Sequence, residues 1–206
     1  MNQYKKMLLA AATALFVSAP AVAETLRIGT EGAYPPFNQI DASGEVVGFD
    51  LDIAKALCAE MQVECTVVTS DWDGIIPALN NNKFDFLVAS MSITDERKQA
   101  VDFTEPYYTN QLQFVAPKDA DFQTDEASLD GKTIGAQRAT IAGQWLEDNL
   151  GDVVDIRLYD TQENAYLDMS AGRIDGVLAD NFVQYEWLQS DAGADFEFKG
   201  EPGFDN

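Results

Sequence analysis

Residues 48–61 read GFDLDIAKALCAEM, and residues 64–69, three positions on, read ECTVVT. In the first stretch Phe49, Ile53, Ala56 and Leu57 recur at helical spacing, while Asp50, Asp52 and Lys55 fall elsewhere, which predicts an amphipathic helix. The second is a β-branched run of strand length. TLRIGT (25–30) before the helix is a further strand, and WDGIIPALNN (72–81) and FDFLVAS (84–90) add a helix and a strand. Strands alternating with helices predict a parallel sheet of βαβ units.

The same grammar restarts downstream. KTIGAQ (132–137), VDIRLY (154–159) and IDGVLAD (174–180) read as strands, interleaved with the helical runs TIAGQWLEDNL (140–150), TQENAYLDMSAG (161–172) and NFVQYEWLQS (181–190). Between the two series, FTEPYYTNQLQFVA (103–116) is β-rich with one proline, as expected of an extended strand crossing from one body to the next. Two α/β units in tandem predict two lobes: residues 24–110 as the first, 111–200 as the second, and 201–206 as the start of a return crossing.

The chain opens with MNQYKKMLLAAATALFVSAPAVA, a basic start, an apolar run and a small-x-small ending. This reads as a secretory signal cut after Ala23, leaving 183 residues. The alternative is an uncleaved anchor or a short buried helix, although the run from Met7 to Val17 is short for a membrane span. An exported protein with two cysteines, Cys58 and Cys65, is expected to join them as a disulfide. A metal site is not expected, because histidine is absent and there is no second cysteine pair. The formal charge of −22 becomes −24 once Lys5 and Lys6 are removed. Such a surface argues against nucleic acid as a partner. Cationic small ligands are compatible with it, as is a plain solubility or salt adaptation.

Open α/β sheets bind ligands beyond the carboxyl ends of their strands. Glu31 and Tyr34 follow the first strand in TEGAYPPF (30–37), where two prolines enforce a loop. Trp72 follows the second strand, Ser90, Ser92 and Arg97 follow the third, Thr140 comes from GAQRAT, and Asp180 from LADN. Each has a plainer alternative. Asp180 can cap the next helix, the aromatics can be half-buried packing, and the serines can line a turn. Arg97 sits in the first turn of the helix read in DERKQAV, against the dipole, and calls for an anion. Asp95 or Asp102 is the internal candidate.

LRIGTEGAYPPF, GEVVGFDLDIAKALCAEMQVECTVV, DWDGIIPALNNNKFDFLVASMSITDERK and AGRIDGVLAD together resemble the periplasmic solute-binding proteins of polar amino-acid ABC importers, family 3, including those for lysine, arginine, ornithine and histidine. The resemblance implies a two-lobed α/β periplasmic-binding-protein fold (type II) with mixed sheets, and a monomer that takes a free amino acid in the cleft and hands it to a membrane permease. It implies no cofactor and no catalysis. By that resemblance Arg97 would grip the ligand α-carboxylate as a two-pronged ion pair, aided by Ser92, Thr140 and a nearby backbone N–H. Asp180 and Ser90 would take the α-ammonium, and Met91 between the serines belongs to the same set. Glu31 would meet a cation at the end of the ligand side chain. Tyr34 and Trp72 would sandwich its stem or guanidinium, a contact of ~0.5 to 2 kcal/mol. Arginine, ornithine or lysine is therefore expected, or an arginine-derived opine.

Two departures stand against the pattern. Family members continue for several dozen residues past the equivalent of GEPGFDN (200–206), so part of the first lobe is expected to be missing from this chain. QRAT has Arg138 and Ala139 where many relatives have glycine before the threonine. Two rival functions share the scaffold: a dehydratase using Glu31 or Asp180 as general acid, and the ligand-sensing domain of a receptor.

Overall fold

The computed structural model describes residues 25–205. The leader reading of residues 1–23 lies outside them. β1 (Thr25–Thr30) leads into three short strands, β2 (Ala33–Tyr34), β3 (Asn38–Ile40) and β4 (Val46–Val47), and then into α1 (Phe49–Met61). β5 (Glu64–Thr69) follows, then a single 3-10 turn at Trp72–Gly74 continuing as α2 (Ile75–Asn80), then β6 (Phe86–Leu87). The order β5–β1–β6 is parallel throughout, with Thr25 opposite Glu64 and Ile28 opposite Phe86. β2, β3 and β4 form a small antiparallel sheet beside it.

α1 begins at Gly48, whose φ of 126° and contact with the Phe37 carbonyl leave no room for a Cβ. The helix is rotated relative to the expected apolar face. Its buried residues are Asp50, Leu51, Ala54 and Cys58, while Phe49 and Leu57 are 40% and 46% exposed. The cause is Asp50, which is fully buried. Its carboxylate accepts hydrogen bonds from Asn38 Nδ2, Ser90 Oγ and Tyr107 OH, each at 2.8 Å. Three donors offset the desolvation of one carboxylate and draw a polar position into the interior.

The second series is built on a five-stranded sheet. β7 (Gln111–Pro117), α3 (Glu126–Leu129), β8 (Thr133–Gln137), α4 (Ile141–Leu150) and β9 (Asp155–Tyr159) come first. α5 (Gln162–Ser170), β10 (Gly176–Asp180), α6 (Asn181–Leu188) and β11 (Phe196–Asp205) complete it. The strand order is β11–β7–β10–β8–β9, parallel among β10, β8 and β9, and antiparallel where β7 meets β10 and β11. Alternation along β7 sends Phe114 and Ala116 to the core under α4, with Ile134, Leu146 and Leu178, and sends Val115 to the opposite core with Tyr166, Met169 and Trp187. Thr140 and Thr161 cap α4 and α5, each side chain accepting from an N–H three residues on.

Three local expectations need correction. FDFLVAS is a strand only at Phe86–Leu87, and residues 101–110 form no strand, which begins at Gln111. Pro106 has no N–H to give a ladder, and the Tyr107 hydroxyl is committed to Asp50. The helix expected on DERKQAV is a single 3-10 turn, Arg97–Gln99. β11 was not anticipated, since glycine and proline interrupt its sequence. It lies at a sheet edge with register shifts between Lys199 and Asp205, where Pro202 is tolerated.

Cys58 and Cys65 form the expected disulfide, joining α1 to β5 with a Cα–Cα distance of 6.2 Å. On the loop-entropy model the small ring contributes about 2 to 3 kcal/mol. Urea unfolding of the oxidised protein and of the Cys58→Ser, Cys65→Ser double variant should differ by that amount. Coincident curves would show that the bridge is energetically idle.

Candidate functional site

The loops after β1 and β6, the ends of β8 and β10, and the start of α4 converge on one narrow cleft. Eight of the nine expected site residues line it: Glu31, Tyr34, Trp72, Ser90, Ser92, Arg97, Thr140 and Asp180. The enclosed space is only about 20 Å³, room for about one water, because side chains bridge the walls. Met91 is not brought into the cleft. It packs against the cluster of Trp72, Ile75 and Phe84, and lines the neighbouring groove beside residues 100–108.

Asp180 ends β10 and holds the N-cap position of α6, yet its side chain makes no capping bond. Instead Oδ2 accepts from Tyr34 OH at 2.8 Å, and Oδ1 is buried without a partner among the described residues. Burial pushes the carboxyl up to about 6, against the Tyr34 hydrogen bond, Asn110 and the positive field of Arg97. The capping alternative is thereby set aside.

Arg97 donates from Nη1 to the Ser92 carbonyl and from Nη2 to the Ala139 carbonyl, both at 2.9 Å, and its guanidinium carbon lies 5.4 Å from the Trp72 ring centroid. No ion pair among the described residues includes it. Asp95 pairs with Lys98 at 3.5 Å instead. Burial lowers the Arg97 pKa, with Asp180 pulling the other way. Ala139 also accepts from Trp72 Nε1 at 3.0 Å and has a φ of 56°, a conformation that a glycine would adopt without strain.

Glu31 is 9% exposed, and Oε1 accepts from Gln137 Nε2 at 2.5 Å. The carboxylate expected to meet a ligand cation thus has a partner in its own chain. That partner is a neutral amide, so the charge stays unmatched. Burial pushes the carboxyl up to about 7, opposed by the Gln137 hydrogen bond and reinforced by Asp71.

The remaining side chains are committed locally. Thr140 Oγ1 donates to the Gln137 carbonyl at 2.7 Å and accepts from Gly143 N at 3.2 Å. Ser90 gives its proton to Asp50, which leaves its oxygen as an acceptor. Tyr34 and Trp72 do not face each other as an open sandwich: Tyr34 stacks on Phe37 with ring centroids 6.5 Å apart, and Trp72 lies under Arg97. No group of side chains able to hold a metal occurs among the described residues, and no helix there is long and apolar enough to cross a membrane.

Comparison with known proteins places this geometry. The sequence pattern of the bacterial extracellular solute-binding proteins, family 3, matches residues 26–137. ABC transporter arginine-binding protein 1 of Escherichia coli (strain K12) is 42% identical over 186 residues, covering 90% of this chain and 75% of that protein. The chain belongs to this family. The lysine/arginine/ornithine-binding periplasmic protein of the same organism is 38% identical, covering 87% of this chain and 70% of its own. A Salmonella typhimurium periplasmic binding protein, solved to explain its high arginine specificity, superposes with a TM-score of 0.81 at 35% identity, over 88% of this chain and 79% of that one. The mixed α/β architecture is accordingly the two-lobed fold of periplasmic amino-acid-binding proteins.

Reading this solute-binding protein from sequence missed three contributors. Gln137 and Gln162 line the cleft, and the Ala139 carbonyl bridges its walls. Gln137 ends β8, so the rule that pointed to strand ends could have found it in GAQRAT.

The raised carboxyls fix a pH dependence. Folded Glu31 and Asp180 still hold protons that the unfolded chain has lost, so their contribution to stability is full below about pH 4 and declines as pH rises to about 7. Each shift corresponds to about 3 kcal/mol. Urea unfolding should show lower stability at pH 8 than at pH 5, and Glu31→Gln should flatten that slope. A slope unchanged in the variant would contradict the burial argument.

Proposed function

We propose that this family-3 protein is the periplasmic solute-binding component of an ABC importer and takes up an L-amino acid with a cationic side chain between its lobes. One observation carries the reading. Asp180 and Glu31 are buried and Arg97 half-buried around one cleft, and none of the three has an ion-pair partner among the described residues. A zwitterion with a positive tail supplies the three opposite charges. Its α-carboxylate would replace the carbonyls now accepting from Arg97, its α-ammonium would take the free Asp180 Oδ1 and the Ser90 oxygen, and its distal cation would displace the Gln137 amide from Glu31. Ser92, Thr140 and the first turn of α4 would complete the carboxylate site, and Tyr34 and Trp72 would flank the stem once the walls part. A neutral or acidic side chain would leave Glu31 desolvated and unpaired, a several-kcal/mol penalty.

The names of the relatives support arginine, lysine and ornithine as candidates. In this reading residues 1–23 are removed on export, residues 24–110 and 111–200 are the lobes, and 201–206 begin the return. A monomer binds, the closed form is selected, and a permease recognises it. A second reading has a specific foothold. The structural neighbours include an ancestral amino-acid-binding protein described as a precursor of cyclohexadienyl dehydratase, with a TM-score of 0.80 and 33% identity. Carboxyls near neutrality such as Glu31 and Asp180 can carry protons. Turnover of prephenate or arogenate would favour that reading over transport.

A thermal-shift series over the common amino acids tests the main reading. Arginine, lysine or ornithine at a hundredfold its Kd should stabilise by about 2.7 kcal/mol. Arg97→Ala should abolish every such shift, and Glu31→Gln should erase the preference for basic ligands. Because a bound cation forces Glu31 to ionise, calorimetry at pH 7 in buffers of different ionisation enthalpy should show proton release, fading by pH 8.5. Stabilisation by neutral amino acids alone would sink the assignment of Glu31.

A further inference from the structure

The side-chain end of the cleft contains an acceptor that the charge argument leaves unused. Gln137 is 1% exposed, and its amide nitrogen is doubly engaged, with Glu31 Oε1 at 2.5 Å and the Asp160 carbonyl at 3.2 Å. Its amide oxygen is buried with no hydrogen-bond partner among the described residues. A buried carbonyl left unpaired costs free energy until a donor reaches it. That oxygen belongs to the amide already in contact with Glu31, so a donor arriving at the carboxylate arrives beside it.

We propose that Gln137 is a specificity-determining residue, its amide oxygen accepting from the same distal group that pairs with Glu31, so that the cleft selects a planar guanidinium over a compact ammonium. The inference rests on the basic-amino-acid reading above and narrows it. A guanidinium carries five N–H donors in a fixed plane and can span a carboxylate and a neighbouring carbonyl together. An ammonium has three donors on one atom and satisfies the carboxylate as a point charge. While Asp160 keeps the Gln137 nitrogen, the amide holds its orientation after Glu31 turns to the ligand.

Titration calorimetry with arginine and lysine, on the unaltered protein and on Gln137→Leu, provides the test. The unaltered protein should prefer arginine. The substitution should weaken arginine about ten-fold or more, the loss expected for a hydrogen bond to a charged group, and change lysine less than about three-fold. Equal losses for both ligands, or no loss for either, overturn the proposal. Should Gln137→Leu not fold, Nω,Nω-dimethylarginine on the unaltered protein decides. It keeps the charge but removes donors, and should bind at least about ten-fold more weakly than arginine, whereas equal binding overturns the proposal. If neither arginine nor lysine binds the unaltered protein, the basic-amino-acid reading fails and this inference falls with it. Arginine binding with an unaltered arginine-to-lysine ratio in the variant removes the inference alone.

Discussion

An ionised group taken out of water must meet an opposite charge or surrender its own. Arg97, Asp180 and Glu31 stand under that constraint on the walls of one cleft, and the surrounding structure makes temporary terms with it. Carbonyls of Ser92 and Ala139 receive the guanidinium, a tyrosine hydroxyl serves Asp180, and a glutamine amide serves Glu31. Each substitute is neutral, so each satisfies hydrogen-bonding directions while leaving charge unmatched. The raised carboxyl pKa values and the lowered guanidinium pKa follow from the same loss of solvent.

These substitute bonds also tie the lobes together. Tyr34 reaches Asp180, Glu31 meets Gln137, and the single Ala139 carbonyl accepts from both Trp72 and Arg97, joining residues 42 to 146 positions apart in the chain. The Ala139 backbone bends through a left-handed conformation just before Thr140 caps α4. A neutral bond across the cleft is easily exchanged for a charged one to a ligand. The wall contacts are therefore suited to replacement.

Much of this was legible in the chain. β5 matches the run ECTVVT residue for residue, and α4, α5 and β10 fall within two residues of the predicted stretches, because periodicity and caps act locally. The strand-end rule gathered eight cleft residues from five separate segments. What escaped depends on contacts distant in sequence. Nothing near Asp50 announces that Asn38, Ser90 and Tyr107 will converge on it and turn α1 about its axis. The two-residue extent of β6 depends on its pairing with β1, and β11 is a strand through its pairing with β7 despite an interrupted sequence. The role of Gln137 required knowing that Glu31 lay opposite, 106 positions away.

Asp50 has one more effect. Through Asn38, whose Oδ1 accepts from Gly32 N at 2.8 Å, it is connected to the loop carrying Glu31, and it also grips the loop after β6 bearing Ser90 and the segment bearing Tyr107. Three stretches that would otherwise drift separately are pinned to a single helix turn. Were the halves of the molecule to swing apart, the distances among the cleft residues on this side would be conserved, and the bending would fall on backbone that the knot does not hold.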